Sequence, residues 1–148
     1  MLSTRAERRL PYERSALFDL AADVEGYPLF LPRWIDARIE RRAGERCEAV
    51  QTVGLGPMRL RFRTQALLRR PERIDMTSDD VQFRHLNLAW RFEADAAGGS
   101  RVAVLREIEL RLRFLQRSLE LLAPTAAGEI LRAFADHACQ RRQPPGGA

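Results

Sequence analysis

Between Met58 and Leu68 the chain alternates with almost no error. Met58, Leu60, Phe62, Thr64, Ala66 and Leu68 share one face of an extended strand, and Arg59, Arg61, Arg63 and Gln65 share the other. A strand with an arginine outer row must keep one face in water. It belongs in an antiparallel sheet covered on one side, not in a parallel sheet covered on both. The same period of two returns along the chain. It runs through Ala37 and Ile39, Cys47 to Val53, Ile74 and Met76, then Leu86, Leu88, Trp90, Phe92 and Ala94, and finally Val102, Val104, Ile108, Leu110 and Leu112. Turn signals separate these runs at Ala43-Gly44-Glu45, Gly54-Leu55-Gly56-Pro57, Arg70-Pro71-Glu72 and Ala97-Gly98-Gly99-Ser100.

Helical spacing brackets the strands. Pro11 sits where a first turn would start, and Ala16, Leu17, Leu20, Ala21 and Val24 give Tyr12 to Ala22 one apolar face. Pro28 and Pro32 then enclose an aromatic-aliphatic cluster, Tyr27 to Pro32. It cannot prolong that helix and is too apolar for a solvated loop. It reads either as a buried connector between helix and strand or as the rim of an apolar cavity. From Leu115 the helical period returns through Leu119, Leu122, Ala126, Ile130, Phe134 and Ala138. Pro124 and Gly128 weaken it, so a kink or break is expected near Ala123, with Thr125 as a restart cap. Residues 143–148 read as a disordered tail and residues 1–142 as one domain. The class is α+β: a curved antiparallel sheet of about seven strands around a long C-terminal helix, the one element long enough to cover the apolar face. Such a pairing leaves a cavity between sheet and helix.

Composition removes several functions. All 25 basic residues are arginine, so Schiff-base, phosphate-loop and general-base lysines are excluded. The net charge of +5 favours anionic partners, lipid head groups or RNA, although the arginines are spread along the chain. No apolar run reaches the roughly 18 residues of a membrane span, and no secretory signal opens the chain. Cys47 and Cys139 lack metal or redox spacing and read as reduced thiols of a cytoplasmic protein, with peripheral contact at the inner face of a membrane. No catalytic constellation appears. His85 lacks an orienting carboxylate in the sequence pattern, His137 lies late in the last helix where imidazolium is favoured, and Asp79-Asp80 reads as a turn rather than a metal site.

Three blocks carry a family resemblance: Phe18-Asp19-Leu20 through Asp23 to Pro32; Arg70-Pro71-Glu72-Arg73-Ile74-Asp75; and Phe83-Arg84-His85-Leu86 with Trp90-Arg91-Phe92. Together they resemble the START-like, helix-grip (Bet v 1-like) superfamily. Within it the chain is similar to the coenzyme Q-binding, polyketide-cyclase-like family, which also includes a bacterial ribosome association toxin. The resemblance implies an apolar tunnel between sheet and helix, with Tyr27 to Pro32 as a short second helix across one end of it and Phe30 and Leu31 facing inward. It implies non-enzymatic binding of ubiquinone or another polyprenyl quinone in support of respiration, with no cofactor beyond that ligand and no metal. Alternatives within the resemblance are association with the large ribosomal subunit and a cyclase or dehydratase activity. Two departures stand out. Arg33 precedes Trp34 where the family places Trp directly after Leu-Pro, and Arg106 occupies a usually apolar strand position.

The expected ligand-lining residues are Phe30, Leu31, Trp34, Leu60, Phe62, Met76, Leu88, Trp90, Arg106, Ile108, Leu122 and Phe134. Arg106 is the sharpest of them. Alternation puts it between Val104 and Ile108 on the apolar face, where a lone guanidinium is costly. It either contacts a polar group inside the cavity or is turned outward by a β-bulge, and the bulge is the favoured reading.

Overall fold

The structure, a computed structural model, describes residues 1–123 and 125–142. Pro124 and the tail expected at 143–148 lie outside the described residues. Strand β1 (Leu2–Leu10) is followed by α1 (Arg14–Ala22) and a 3-10 helix (Val24–Leu29). Then come β2 (Trp34–Ala43), β3 (Arg46–Leu55), β4 (Met58–Arg69), β5 (Arg73–Thr77), β6 (Phe83–Ala94) and β7 (Ser100–Leu110). Helices α2 (Arg113–Leu122) and α3 (Ala126–Arg142) close the fold. The seven strands form one antiparallel sheet in the order β1-β7-β6-β5-β4-β3-β2. The α+β class expected from the alternation, and the helix-grip arrangement the resemblance implies, are those observed.

β4 keeps the expected parity. Leu60, Phe62, Thr64, Ala66 and Leu68 are buried, and Arg59, Arg61 and Arg63 are exposed. On the wet face, Arg63 bonds Glu40 at 3.0 Å, Arg91 bonds Asp75 at 2.9 Å and Arg101 meets Glu7 at 3.2 Å. Such exposed pairs contribute about 0.2–1 kcal/mol each, so the sheet is held mainly by its apolar side.

Three local expectations need correction. Helix α1 starts at Arg14, with extended Glu13 as its N-cap, so Pro11 lies before the helix. The short second helix occupies Val24–Leu29, earlier than Tyr27 to Pro32. It includes Pro28 and buries Tyr27, whose hydroxyl donates to the Ala21 carbonyl at 2.6 Å. Strand β3 runs on through Gly54 and Leu55, leaving Gly56-Pro57 as the turn, with Gly56 at φ 59°.

The C-terminal helical run is two helices. Ala123, which precedes proline in the sequence, has φ −138° and ψ 48°, outside the helical region as that position demands. The restart is capped from a distance. The Thr4 hydroxyl of β1 accepts the Ala127 N–H at 3.1 Å, while Thr125 Oγ1 meets Glu129 Oε1 at 3.5 Å. Thr4 therefore supplies the side-chain cap expected of Thr125.

The division of the helices divides the core. One cluster gathers Trp90, Phe92 and Ile74 of the sheet with Tyr27 and with Phe134 of α3. The other gathers Leu55, Leu60, Phe62, Phe83, Ile108, Leu115 and Leu119 beneath α2. Small residues, Ala123 and Ala126, face the sheet at the junction.

Candidate functional site: an apolar cavity at the helix break

A cavity of about 70 Å³ opens where the two clusters meet. Its sheet wall comes from Leu60, Phe62, Met76, Leu88 and Ile108, and its helix wall from Leu119, Ala123, Ala126 and Ile130. Phe62 and Phe83 meet edge to face at 5.0 Å on its floor. Bulky strand side chains face two alanines across the break, so the wall is incomplete there. That is why the space persists at this point and not further along α3, where Phe134 fills the gap at 4.8 Å from the Trp90 ring.

Arg106 points into this cavity. Its register is continuous, opposite Leu88 on one side and Thr4 on the other, and the irregularity in the β6–β7 pairing lies at Phe83/His85. The bulge expected to turn Arg106 outward is therefore absent from its position, and simple parity decides its direction. One Nη lies 3.4 Å from the Ala123 carbonyl, while Nε is buried with no hydrogen-bond partner among the described residues. Burial, and then the nearby Arg33 charge, lower the guanidinium pKa to about 10, partly offset by Glu129. The group remains a cation at neutral pH.

Arg33 closes the rim. It holds a left-handed backbone at φ 73°, which a non-glycine residue adopts at a cost. Its guanidinium donates to Glu129 Oε2 at 2.6 Å and to the Leu122 carbonyl at 2.6 Å, joining the β2 entry to the end of α2 and the first turns of α3. The departure at Arg33 is thus a clasp across the helix break.

A polar line crosses the opposite wall. Buried Gln51 accepts from Trp34 Nε1 at 2.7 Å and donates to Thr64 Oγ1 at 2.9 Å and to Met76 Sδ at 3.2 Å. The expected lining set omitted Gln51, Arg33 and Glu129. For Gln51 the signal was available, since it follows Cys47 and Ala49 on the inward parity of β3. Arg33 stands out locally only as a departure before Trp34, and nothing local pairs it with Glu129, because their partnership spans 96 residues.

Of the twelve expected lining residues, Trp34, Leu60, Phe62, Met76, Leu88, Arg106 and Ile108 border the cavity. The other five do not. Leu31, Trp90 and Phe134 are packed in the larger cluster, Phe30 packs against its edge, and Leu122 is largely exposed at the end of α2. Trp90 carries the right parity, but Phe134 of α3 packs over its ring and the larger cluster covers it completely.

His85 lies on the wet face, with Nε2 3.2 Å from Glu107 Oε1, a carboxylate partner that the sequence pattern did not show. His137 stacks on Phe30 at 4.2 Å. Burial, then Arg141, push its pKa down despite the opposing charge of Asp23, so imidazolium is disfavoured here, contrary to the helix-end expectation. The unfolded chain, at the ordinary 6.5, binds the proton more readily. Stability from this site is full above that value and falls as the pH drops below it. Wild type is therefore expected to lose more thermal stability than His137→Phe between about pH 7.5 and about pH 5. Equal losses in parallel melting curves would refute this. Among the described residues no three His, Cys, Asp or Glu side chains converge on a metal site, and no helix is long and apolar enough to cross a membrane.

A one-sided sheet gripping split helices around an apolar cavity defines a START-like domain. Residues 10–137 match the family model described as polyketide cyclase/dehydrase and lipid transport, and the chain belongs to that family. It is 30% identical to the ribosome association toxin RatA of Pseudomonas aeruginosa over 142 residues, covering 95% of this chain and 96% of that protein. Its fold is similar to the ZhuI aromatase/cyclase from Streptomyces sp. R1128, with a TM-score of 0.83 at 15% identity, covering 99% and 98% of the two chains. It is also similar to a START superfamily protein from Mycobacterium smegmatis, with a TM-score of 0.78 at 13% identity, covering 94% and 98%.

Proposed function

We propose that the protein is a non-catalytic carrier of one hydrophobic molecule with a hydrogen-bond-accepting head, a polyprenyl quinone such as ubiquinone, in support of respiratory electron transport. The observation that carries this reading is the Arg106 guanidinium, aimed into an apolar cavity with its buried Nε unpartnered among the described residues. A protein that binds only through its surface gains nothing from an unsatisfied internal cation. A quinone carbonyl would satisfy it, and charge-assisted hydrogen bonds are the stronger kind. The cavity of about 70 Å³ falls well below the roughly 300 Å³ at which pockets accommodate drug-sized ligands. A prenyl tail is therefore admitted by parting α2 from α3 at the break, with release of the Arg33 clasp. Apolar burial at about 25 cal/mol per Å² drives the transfer. Arginines on the surface hold the protein near anionic lipid.

Organic extraction of the purified protein, with mass spectrometry, should recover a co-purifying lipid. Titration with a short-chain ubiquinone should saturably quench tryptophan emission, since Trp34 lines the cavity. Absence of both would sink the carrier reading.

A second reading is association with the large ribosomal subunit. The identity to RatA across 95% of the chain supports it. So do exposed Arg59 and Arg61 on the wet face of β4, a row suited to phosphate contact. Co-sedimentation with large subunits that weakens steeply with salt is its expected signature. No co-sedimentation at low salt would remove this reading.

A further inference from the structure

We propose that the outward face of α2 is a docking surface for an anionic lipid bilayer. The proposal rests on the carrier reading and names the surface through which that cavity meets a membrane. Helix α2 turns Leu115 and Leu119 onto the sheet. Its opposite arc presents Phe114 and Leu121 to water, at 59% and 76% exposure, when apolar side chains of that size normally find cover in the core. They stand seven residues apart and so share one stripe, with Arg117 between them and Arg113 beside them. Leu112, also exposed, precedes the helix. Arg111 Nε bonds the Val81 carbonyl at 2.8 Å, bringing another exposed aliphatic residue to the same end.

Charge selects the occupant. Residues 111–122 carry three arginines and one glutamate, and that glutamate accepts from Gln116 at 3.1 Å. Exposed apolar residues interleaved with arginine, with little acid to balance them, fit an interface of acyl chains beneath phosphate head groups. There the arginines reach outward while the apolar side chains sink. One short helix is a weak anchor, so binding is reversible and depends on anionic lipid, at about fivefold per arginine near the surface. The surface is also continuous with the cavity. Helix α2 ends at Leu122, whose carbonyl Arg33 holds, and its inner Leu119 lines the cavity wall. A bilayer that takes Phe114 and Leu121 thus sits against the element whose movement opens the break.

The test is flotation of the whole protein with vesicles of phosphatidylglycerol and phosphatidylcholine, compared with phosphatidylcholine alone. Wild type is expected to bind the mixed vesicles and to release them at high salt. Phe114→Ser with Leu121→Ser, and separately Arg113→Gln with Arg117→Gln, should each weaken binding at least tenfold while keeping the wild-type melting curve, because all four side chains face water. Wild type that ignores anionic vesicles, or variants that bind as wild type does, would overturn the proposal. So would a gel-filtration shift showing that the serine variant splits a dimer, since the face would then belong to a second copy. Ubiquinone titration without vesicles separates the two proposals. Both double variants should bind quinone normally. Wild type that binds vesicles but no quinone would condemn the carrier reading and leave this surface standing.

Discussion

Arg106→Met is expected to make the protein more stable and less able to bind its ligand. Removal of a part-buried, poorly partnered cation in favour of an unbranched apolar side chain relieves desolvation, and replacing buried ion pairs by apolar side chains is neutral or stabilising by about 1–4 kcal/mol. At this chain length each kcal/mol raises the thermal midpoint by about 2–4 °C. The same change removes the donor aimed at the ligand head. One charge-assisted hydrogen bond is worth about 1.5–3 kcal/mol, so quinone affinity should fall about ten- to hundredfold. Calorimetric melting and a fluorescence titration measure the two effects separately. A variant that melts lower, with ligand binding intact, would show that Arg106 serves the fold through the Ala123 carbonyl and not the cavity.

The second large effect separates core from site between two buried phenylalanines, Phe134 of α3 and Phe62 of β4. Phe134 is fully buried, 4.8 Å from the Trp90 ring and 6.3 Å from the Phe30 ring. Truncation to alanine leaves a void in a close-packed cluster and should cost about 3–5 kcal/mol in urea unfolding, a large share of the about 5–15 kcal/mol typical of a whole domain. The protein that remains folded should bind quinone as wild type does, because Phe134 does not border the cavity. Phe62→Ala is the contrast. Phe62 is nearly as buried but forms a cavity wall against Phe83, so its truncation enlarges the binding space. It should therefore shift ligand selectivity toward bulkier molecules as well as lower stability. If Phe134→Ala changed affinity more than Phe62→Ala did, the cavity would have been placed at the wrong end of the sheet.

Both predictions depend on a distinction that strand parity cannot make. Parity determined a great deal. It set the inward and outward rows of β4, the wet arginine face, the α+β class and the one-sided sheet, because successive side chains on a strand point to opposite faces whatever lies nearby. It also determined that Arg106 faces inward, and the bulge invoked against that reading lies elsewhere. The helix break near Ala123 followed from the chemistry of the proline after it. What parity left open was the division of one apolar face into a filled half and a hollow half. Trp90 lies under Phe134 of α3 in the filled half, whereas Leu60, Phe62 and Ile108 border the break. The Arg33 clasp and the Thr4 cap join residues 89 to 123 positions apart, and they and the cavity exist only once the sheet has curved and the two helices have settled on it. Local side-chain direction is a property of the strand, and the sequence alone determined it. The cavity is a mismatch in volume between distant elements, and only the tertiary structure decided where it lies and which residues close it.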